Sequence, residues 1–348
     1  MTKIRLSVIV PTFNTSADLL ENCLESLYQQ DFISVEFLIL DDGSTEDWIE
    51  PIVRNYVSKD ARFRYIRKEN SGVADTRNQG IGISQGEYIM FVDSDDQLMP
   101  NACDYAVKRI ESVGSDVIIM GIQDVHASDV NFQKMLNENE KTTMMYSVMA
   151  MTSIYEDWHI KIDSPWAKIF KSSIIKKNNI QFPCQLQRSE DAIFCLLYYN
   201  ICQQIYIDSH PIYDYVGNPE SICRKCSTIS IDALPLVLKE EERFLEENPK
   251  LRSMYNSALF ERTFEGIQES LCTYFFNRKN PKNIKTLAQE LQNFVEGPVV
   301  YQYFKGYGME NLRKKRLRKK IYWSFLKLKW YRPLFYFERI MHPAWIFK

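Results

Sequence analysis

The sequence predicts an α/β protein: a mixed, mainly parallel sheet flanked by helices, followed by a helical C-terminal extension. Three observations carry this. Apolar runs recur near residues 6–10, 35–40, 63–66 and 88–92 with helical spacing between them, two of those runs end in acidic turns, and past residue 230 the apolar period is helical.

Leu6-Ser7-Val8-Ile9-Val10 reads as a buried strand closed by the turn Pro11-Thr12-Phe13-Asn14. Thr15 with Asp18 forms an N-terminal capping pair, after which Leu20, Leu24 and Leu27 repeat along one helical face. The second strand, Val35 to Leu40, empties into Asp41-Asp42-Gly43-Ser44. A third, near Phe63 to Ile66, leads through Lys68-Glu69-Asn70-Ser71-Gly72 into a helix with Asp75, Arg77 and Asn78. The fourth, Tyr88 to Val92, runs into Asp93-Ser94-Asp95-Asp96. Ligands of open parallel sheets gather beyond the carboxyl ends of the strands, so the two acidic turns should face one crevice. If the strand period persists, Asp93 and Asp95 point the same way and offer a hard divalent ion two oxygen ligands. A solvated acidic turn is the alternative for so short a pattern.

After a strand at Asp116 to Met120, residues 124–145 read as an irregular surface excursion. Trp158 to Lys177 carries Trp166, Ile169, Phe170 and Ile174 at near-helical spacing. Glu190 and Asp191 head the apolar run Ala192 to Tyr199, where a helix macrodipole favours acid. Leu234 to Phe304 is helical, with Glu240-Glu241-Glu242 as one solvated face. The expected domains are 1–230, holding the acidic turns, and the extension 231–348.

A chain of 348 residues with 45% hydrophobic and 25% charged residues can bury a full core, which excludes a disordered protein. The net charge of −2 hides an asymmetry, because residues 313–348 hold twelve Lys or Arg and one acid, +11 against −13 elsewhere. Within the tail, about 312–348, Leu317, Ile321, Phe325 and Leu328 share a helical face among Arg316, Arg318, Lys319, Lys320 and Lys327. Trp323, Trp330, Tyr331, Phe335, Tyr336, Phe337, Trp345 and Phe347 add the aromatics of a membrane interface, while charges break every apolar run short of the ~20 residues of a span. The expected partner is an anionic membrane surface, not nucleic acid, met by a tail separable after Asn311. A helical arm packed on a second copy of the chain is the alternative. Eight cysteines, mostly in apolar segments, and no cleavable leader pattern suit a reduced, cytoplasmic protein peripheral at the inner face of the cell membrane. Cys223 and Cys226 have the spacing of half a zinc site, but with His210 they still fall short of four ligands.

Val8-Ile9-Val10-Pro11-Thr12-Phe13-Asn14, Leu40-Asp41-Asp42-Gly43-Ser44-Thr45, Asn70-Ser71-Gly72 through Gln79-Gly80, and Gly86-Glu87 through Asp95-Asp96 follow one another as do the signatures of family 2 glycosyltransferases. Ser189-Glu190-Asp191-Ala192-Ile193-Phe194 resembles the acidic motif that holds that family's base, so the resemblance reaches about residue 215. It is nearest to the enzymes of bacterial polysaccharide biosynthesis. It implies the GT-A fold, Rossmann-like, and inverting transfer from a UDP-sugar donor to a hydroxyl of a lipid-linked oligosaccharide or polysaccharide repeat unit.

The resemblance also implies roles. Asp95 and Asp93 would hold Mn²⁺ or Mg²⁺, which all-oxygen ligands without His favour over zinc. Asp93 would otherwise touch the donor ribose, with Ser94 in the same nucleotide-sugar site. Asp42 would accept from the base imide, which selects uracil, beside a wall of Pro11 and Asn14. Asp41 would touch the ribose or cap the turn. Arg77 would face the pyrophosphate, or else pair with Asp75 or another nearby acid. Asp191 would be the general base, with Glu190 its rival. Trp166 and Lys168 would line the acceptor cleft or belong to the core. A non-catalytic membrane-docking scaffold on the same domain is the other reading.

Overall fold

A computed structural model describes residues 3–123, 132–152, 154–155, 159–216, 226–313 and 315–341. The chain forms two compact units. One comprises Met1–Val148, Ser153–Gln185 and Glu190–Asn218, the other Met149–Thr152, Leu186–Ser189 and Pro219–Lys348.

Among the described residues the first unit is built on a nine-stranded sheet: β1 (Leu6–Thr12), β2 (Val35–Asp41), β3 (Phe63–Arg67), β4 (Tyr88–Phe91), β5 (Gln97–Leu98), β6 (Val117–Ile122), β7 (Gln133–Met135), β8 (Lys168–Lys171) and β9 (Ile205–Asp214). Their order is β3-β2-β1-β4-β8-β6-β9-β5, with β7 beside β9. β1 pairs in parallel with both β2 and β4, so the chain winds to one side of β1 and then to the other. Every residue of β1 and β2 is buried, as helices on both sheet faces require. Those helices are α1 (Ala17–Tyr28), α2 (Ile49–Lys59), α3 (Val73–Ile83), α4 (Ala102–Val113), α5 (Glu138–Met149), α6 (Ser172–Lys177) and α7 (Glu190–Ile201). Leu20, Cys23, Leu24 and Leu27 form the buried stripe of α1 at the predicted spacing.

Three expectations for this unit fail for reasons of long-range pairing. Residues 132–149 are not an irregular excursion: β7 adds to β9, and α5 buries Met144, Met145, Val148 and Met149, while 124–131 lie outside the described residues. Lys168–Lys171 is a strand, not a helix, because β8 runs antiparallel between β4 and β6 and so buries Ile169 and Phe170 on opposite faces. Trp158 lies outside the described residues. Thr15 does not cap α1. Ser16 stands at the cap without a side-chain bond, and the Thr15 hydroxyl is taken up by Ser94 instead.

The second unit is helical: α8 (Ile229–Glu247), α9 (Pro249–Ser270), α10 (Ile284–Val295), α11 (Pro298–Phe304), α12 (Met309–Leu312), α13 (Leu317–Lys327) and α14 (Tyr331–Met341). Gly266 lets α9 approach α8, since a Cβ there would meet Leu234 Cδ1 at 2.5 Å. Asn283 caps α10 by accepting from the Thr286 amide at 3.0 Å. The acidic run of α8 is not a solvated face. Glu241 is buried beside Arg262 (3.6 Å), and burial pushes its carboxyl up to about 8 against the pull of that guanidinium.

The tail is not a separable arm. Tyr322, Leu326, Tyr331, Leu334 and Phe335 are buried, and Phe335 packs edge-on against Phe276 at 5.3 Å, so cutting after Asn311 would strip this unit's core. Much of its positive charge is matched within the unit. Lys315 pairs with Glu261 and Glu265 (2.9 and 2.8 Å), Lys319 with Glu265, Arg318 with Glu338, and Lys329 with Glu296 (3.3 Å). No helix among the described residues is long and apolar enough to cross a membrane.

Candidate functional site

The carboxyl ends of β1, β2 and β4 meet where the winding of the sheet reverses, the crevice in which open α/β sheets bind ligands. β1 ends in Thr12 and its turn carries Asn14 in a left-handed conformation (φ 49°), which asparagine tolerates better than most residues. That conformation turns the side chain toward the end of β2. The Asn14 amide donates to Ser44 Oγ (3.1 Å), and Asn14 Oδ1 accepts from the Thr45 amide (2.8 Å). Pro11 is buried within β1, level with Leu40.

The two acids after β2 take different work. Asp41 is fully buried and caps its own turn: Oδ1 accepts from the Ser44 amide (2.8 Å) and Oδ2 from the Tyr65 hydroxyl (2.6 Å). Asp42 ties the end of β2 to the start of α3. Its Oδ1 accepts from Lys68 Nζ and from the Ser71 amide (2.9 Å), and its Oδ2 from the Gly72 amide (2.8 Å). A carboxylate oxygen has room for two donors, so Oδ2, with one among the described residues, can take another.

Beyond β4 the acidic turn splits by exposure. Ser94 is buried, its hydroxyl 2.6 Å from that of Thr15, which lies 3.1 Å from that of Thr12. Asp96 is not a solvated acid. It is buried, accepts from the Tyr213 hydroxyl (2.7 Å) and the Val216 amide (2.8 Å), and is pushed up to about 7 by burial, with those bonds pulling down and Asp93 adding repulsion. Asp93 and Asp95 remain half-buried, but the strand period does not persist to them: β4 ends at Phe91, and the Asp96 amide donates to the Asp93 carbonyl (3.0 Å) to close a turn.

Arg77 ties this turn to the start of α7. Its guanidinium is buried, bonds Asp93 Oδ1 at 2.8 Å and Asp191 Oδ1 at 2.5 Å, and stands 3.5 Å from Glu190 Oε1. Asp75 is not its partner; that carboxylate meets Ser71, Gln79 and Lys68. Two contacts hold Arg77 in place. Its guanidinium lies 5.3 Å over the Phe182 ring, and the neighbouring Asn78 side chain bonds both the Phe182 amide and carbonyl at 2.8 Å. Burial pushes the Asp191 carboxyl up, with Arg77 opposing and Glu190 and Asp93 reinforcing. Its side chain is still 27% exposed, so a substrate can reach it. Glu190 is more deeply covered.

The site thus brings together Asn14, Asp41 and Asp42 at one end, and Asp93, Ser94, Asp95, Arg77, Glu190 and Asp191 at the other. Sequence reasoning did not single out Lys68, Tyr65, Thr45, Asn78, Phe182 or Tyr213. Of these, Thr45 lies in the Leu40–Thr45 signature and Asn78 in the Asn70–Gly80 one, and no signature contains the others. Among the described residues no group of three or more His, Cys, Asp or Glu is arranged to hold a metal ion by itself. An all-oxygen pair of half-buried carboxylates fits instead an ion of the Mg²⁺ type, which takes one or two carboxylates and completes its shell with substrate phosphate and water. Cys223 lies outside the described residues, and His210 stacks on Tyr105 at 4.0 Å.

Replacing Arg77 with Met should destabilise the protein by about 3–5 kcal/mol near neutral pH, because it leaves buried carboxylates without their counter-charge. Chemical denaturation checks this. An unchanged midpoint would mean the ion pairs carry no net stabilisation.

Similarity to known proteins agrees with this fold. The family model described as Glycosyl transferase family 2 matches residues 7–178. EpsH of Bacillus subtilis strain 168, named as a glycosyltransferase, is 28% identical over 301 residues, 83% of this chain and 81% of its own length. TarS of Staphylococcus aureus strain Mu50, a poly(ribitol-phosphate) beta-N-acetylglucosaminyltransferase, is 30% identical over 220 residues, which span 62% of this chain and 36% of TarS. The crystal structure of S. aureus TarS 1-349 is similar with a TM-score of 0.61 at 22% identity, covering 93% of this chain and 87% of that one, and so shares the GT-A fold. On its matched domain and these relatives, the chain is a glycosyltransferase whose residues 7–178 match family 2.

Proposed function

We propose that this glycosyltransferase is an inverting enzyme that moves a sugar from a UDP donor to a hydroxyl of a lipid-linked oligosaccharide or polysaccharide repeat unit, with Asp191 as general base. The observation that carries the reading is the bridge through Arg77, from Asp191 at 2.5 Å to Asp93 at 2.8 Å, which joins a candidate base to the acidic turn after β4. Burial makes Asp191 a stronger proton acceptor than a solvated carboxylate, with Arg77 opposing that upward shift. The acceptor oxygen bonds the anomeric carbon as its proton passes to Asp191. The bond from that carbon to the diphosphate oxygen breaks, and its electron pair leaves with UDP. Asp95 and Asp93 would hold Mn²⁺ or Mg²⁺, which when bound offsets the charge on the departing diphosphate. Glu190, more deeply covered, supports the helix start and the Arg77 cluster. Asp42, through Oδ2, would read the base imide, with Pro11, Asn14 and Asp41 shaping that wall and Ser94 lining the donor side.

TarS is named for transfer of N-acetylglucosamine to poly(ribitol-phosphate), which makes UDP-N-acetylglucosamine the first donor to try and a polymer the first acceptor. UDP release from a panel of UDP-glucose, UDP-galactose and their N-acetylamino forms, each with Mg²⁺ or Mn²⁺, tests the activity. Asp191→Asn should keep UDP binding by calorimetry and lose about two to four orders of magnitude in turnover. Asp95→Ala should lose the metal-dependent part of UDP binding. Turnover near normal in Asp191→Asn would move the base to Glu190, and no binding or turnover of any nucleotide sugar would favour the scaffold.

The second unit suits peripheral attachment to an anionic membrane. Its buried helical face in α13 is Tyr322 and Leu326, while of the stripe Leu317 and Leu328 are exposed (73% and 56%) and Ile321 and Phe325 half-buried. Phe325 joins it to α14 through Phe337 (5.5 Å) and to Trp330 (6.2 Å), and α14 adds exposed Tyr336, Ile340 and Met341. Exposed Arg316, Arg332 and Arg339 flank this surface. Trp345 and Phe347 lie outside the described residues. Leu317→Glu with Ile340→Glu should abolish flotation with phosphatidylserine vesicles without unfolding the chain. Flotation unchanged by the pair, with oligomeric mass reduced, would make this surface a contact between two copies.

A further inference from the structure

Trp166 bridges Phe91, two residues before Asp93, beside the end of β4. Its indole stacks on Tyr213 (ring centroids 5.0 Å apart, 14° between planes) and on Tyr215 (5.7 Å, 24°). Tyr213 is buried, Trp166 half-buried and Tyr215 52% exposed, so near-parallel rings step from the core to the surface. The inner ring is fixed to the acidic turn itself: the Tyr213 hydroxyl accepts from the Asp93 amide (3.1 Å) and donates to Asp96 (2.7 Å).

The loop that carries Trp166 is held just as firmly. Lys168 is fully buried, and its ammonium donates to the carbonyls of Lys161 and Ser164, both at 2.5 Å. The Tyr199 hydroxyl donates to the Ile162 carbonyl (2.8 Å), and Cys195 Sγ to that of Ser164 (3.3 Å). Ala167 sits at φ 53°, a left-handed conformation that a residue with a Cβ keeps only where its surroundings dictate it. Burying an ammonium costs much free energy, and here it gives one loop a single shape.

Sheet order assigns the two flanks of the acidic turn different work. Asn14, Asp41 and Asp42 follow β1 and β2 on one side of β4, while the Trp166 loop leads into β8 on the other and Tyr213 and Tyr215 lie at the end of β9. If the nucleotide lies along β1 and β2, the aromatic flank faces the incoming acceptor.

We infer that Trp166 and Tyr215 form the acceptor subsite, a platform on which the apolar C–H face of a hexopyranose ring stacks, with Lys168 as the positioning residue beneath it. A pyranose presents one face of axial C–H groups between polar edges, and a flat, rigid aromatic ring complements that face while losing little side-chain freedom. This rests on the transferase reading.

The full-length chain, saturated with UDP and Mn²⁺, is titrated with methyl glycosides of glucose, galactose and N-acetylglucosamine while tryptophan emission and saturation-transfer NMR are followed. At least one glycoside should bind through its C–H face. Tyr215→Ala should weaken it roughly three- to tenfold, Tyr215→Phe should restore it, and UDP affinity should be unchanged in both. Trp166→Phe serves as the second variant, since Trp166→Ala could disturb the Tyr213 stack. If no glycoside binds, or if binding is equal in Tyr215→Ala, the subsite is wrong although the donor site stands. Failure of the wild-type chain to bind UDP would instead overturn the transferase reading.

Discussion

One buried guanidinium and the carboxylates around it set the terms for the rest of the first unit. Arg77 reaches residues 16, 113 and 114 positions away in sequence, one in the turn after β4 and two at the start of α7. Placing charge in a low-dielectric interior is tolerable only when it is paired and its geometry fixed. That fixing explains several neighbours without other purpose: Asn78 grips the Phe182 backbone, and Phe182 lies under the guanidinium while stacking on Phe194 at 3.9 Å. Three acids still outnumber one base. The excess negative charge beside half-buried Asp93 and Asp95 suits a site completed by a divalent cation and a diphosphate.

The sheet gives this cluster its surroundings. Because the chain winds outward from β1 in both directions, the strand ends open a crevice with distinct flanks, one of short polar turns after β1 and β2 and one of stacked aromatic rings beside β8 and β9. Asp96 separates structure from chemistry within a run of acids. It anchors the aromatic flank through Tyr213 and Val216, while Asp93 and Asp95 stay half-buried and Asp93 pairs with Arg77.

What the sequence disclosed and what it hid divide along the range of the interactions involved. β1, β2 and β4 are buried on both faces, so their apolar runs stood out, and the acidic turns that close them could be read directly. The start of α7 was legible for the same local reason. β8 was not, because four residues become a strand only when β4 and β6 are there to pair with them. Glu241 looked solvated in a run of three glutamates, yet Arg262 on the next helix draws it inward. Lys168, expected in the acceptor cleft or the core, is buried, and its partners are carbonyls of a loop whose path no short pattern reveals. The tail misled in a different way, since its basic residues and aromatics are shared between an outer surface and the packing of a helical core.

The central claim is that Arg77 holds the base and the acidic turn in register, and does not itself grip the pyrophosphate. UDP affinity and turnover of Arg77→Lys test it most directly. A lysine ammonium is one compact point and lacks the planar fork whose two separate nitrogens meet Asp93 and Asp191. The account predicts UDP affinity within about threefold of wild type and turnover reduced about a hundredfold or more, the loss of a positioned base. Collapse of UDP affinity with turnover preserved at saturating donor would identify Arg77 as a phosphate ligand and contradict the account.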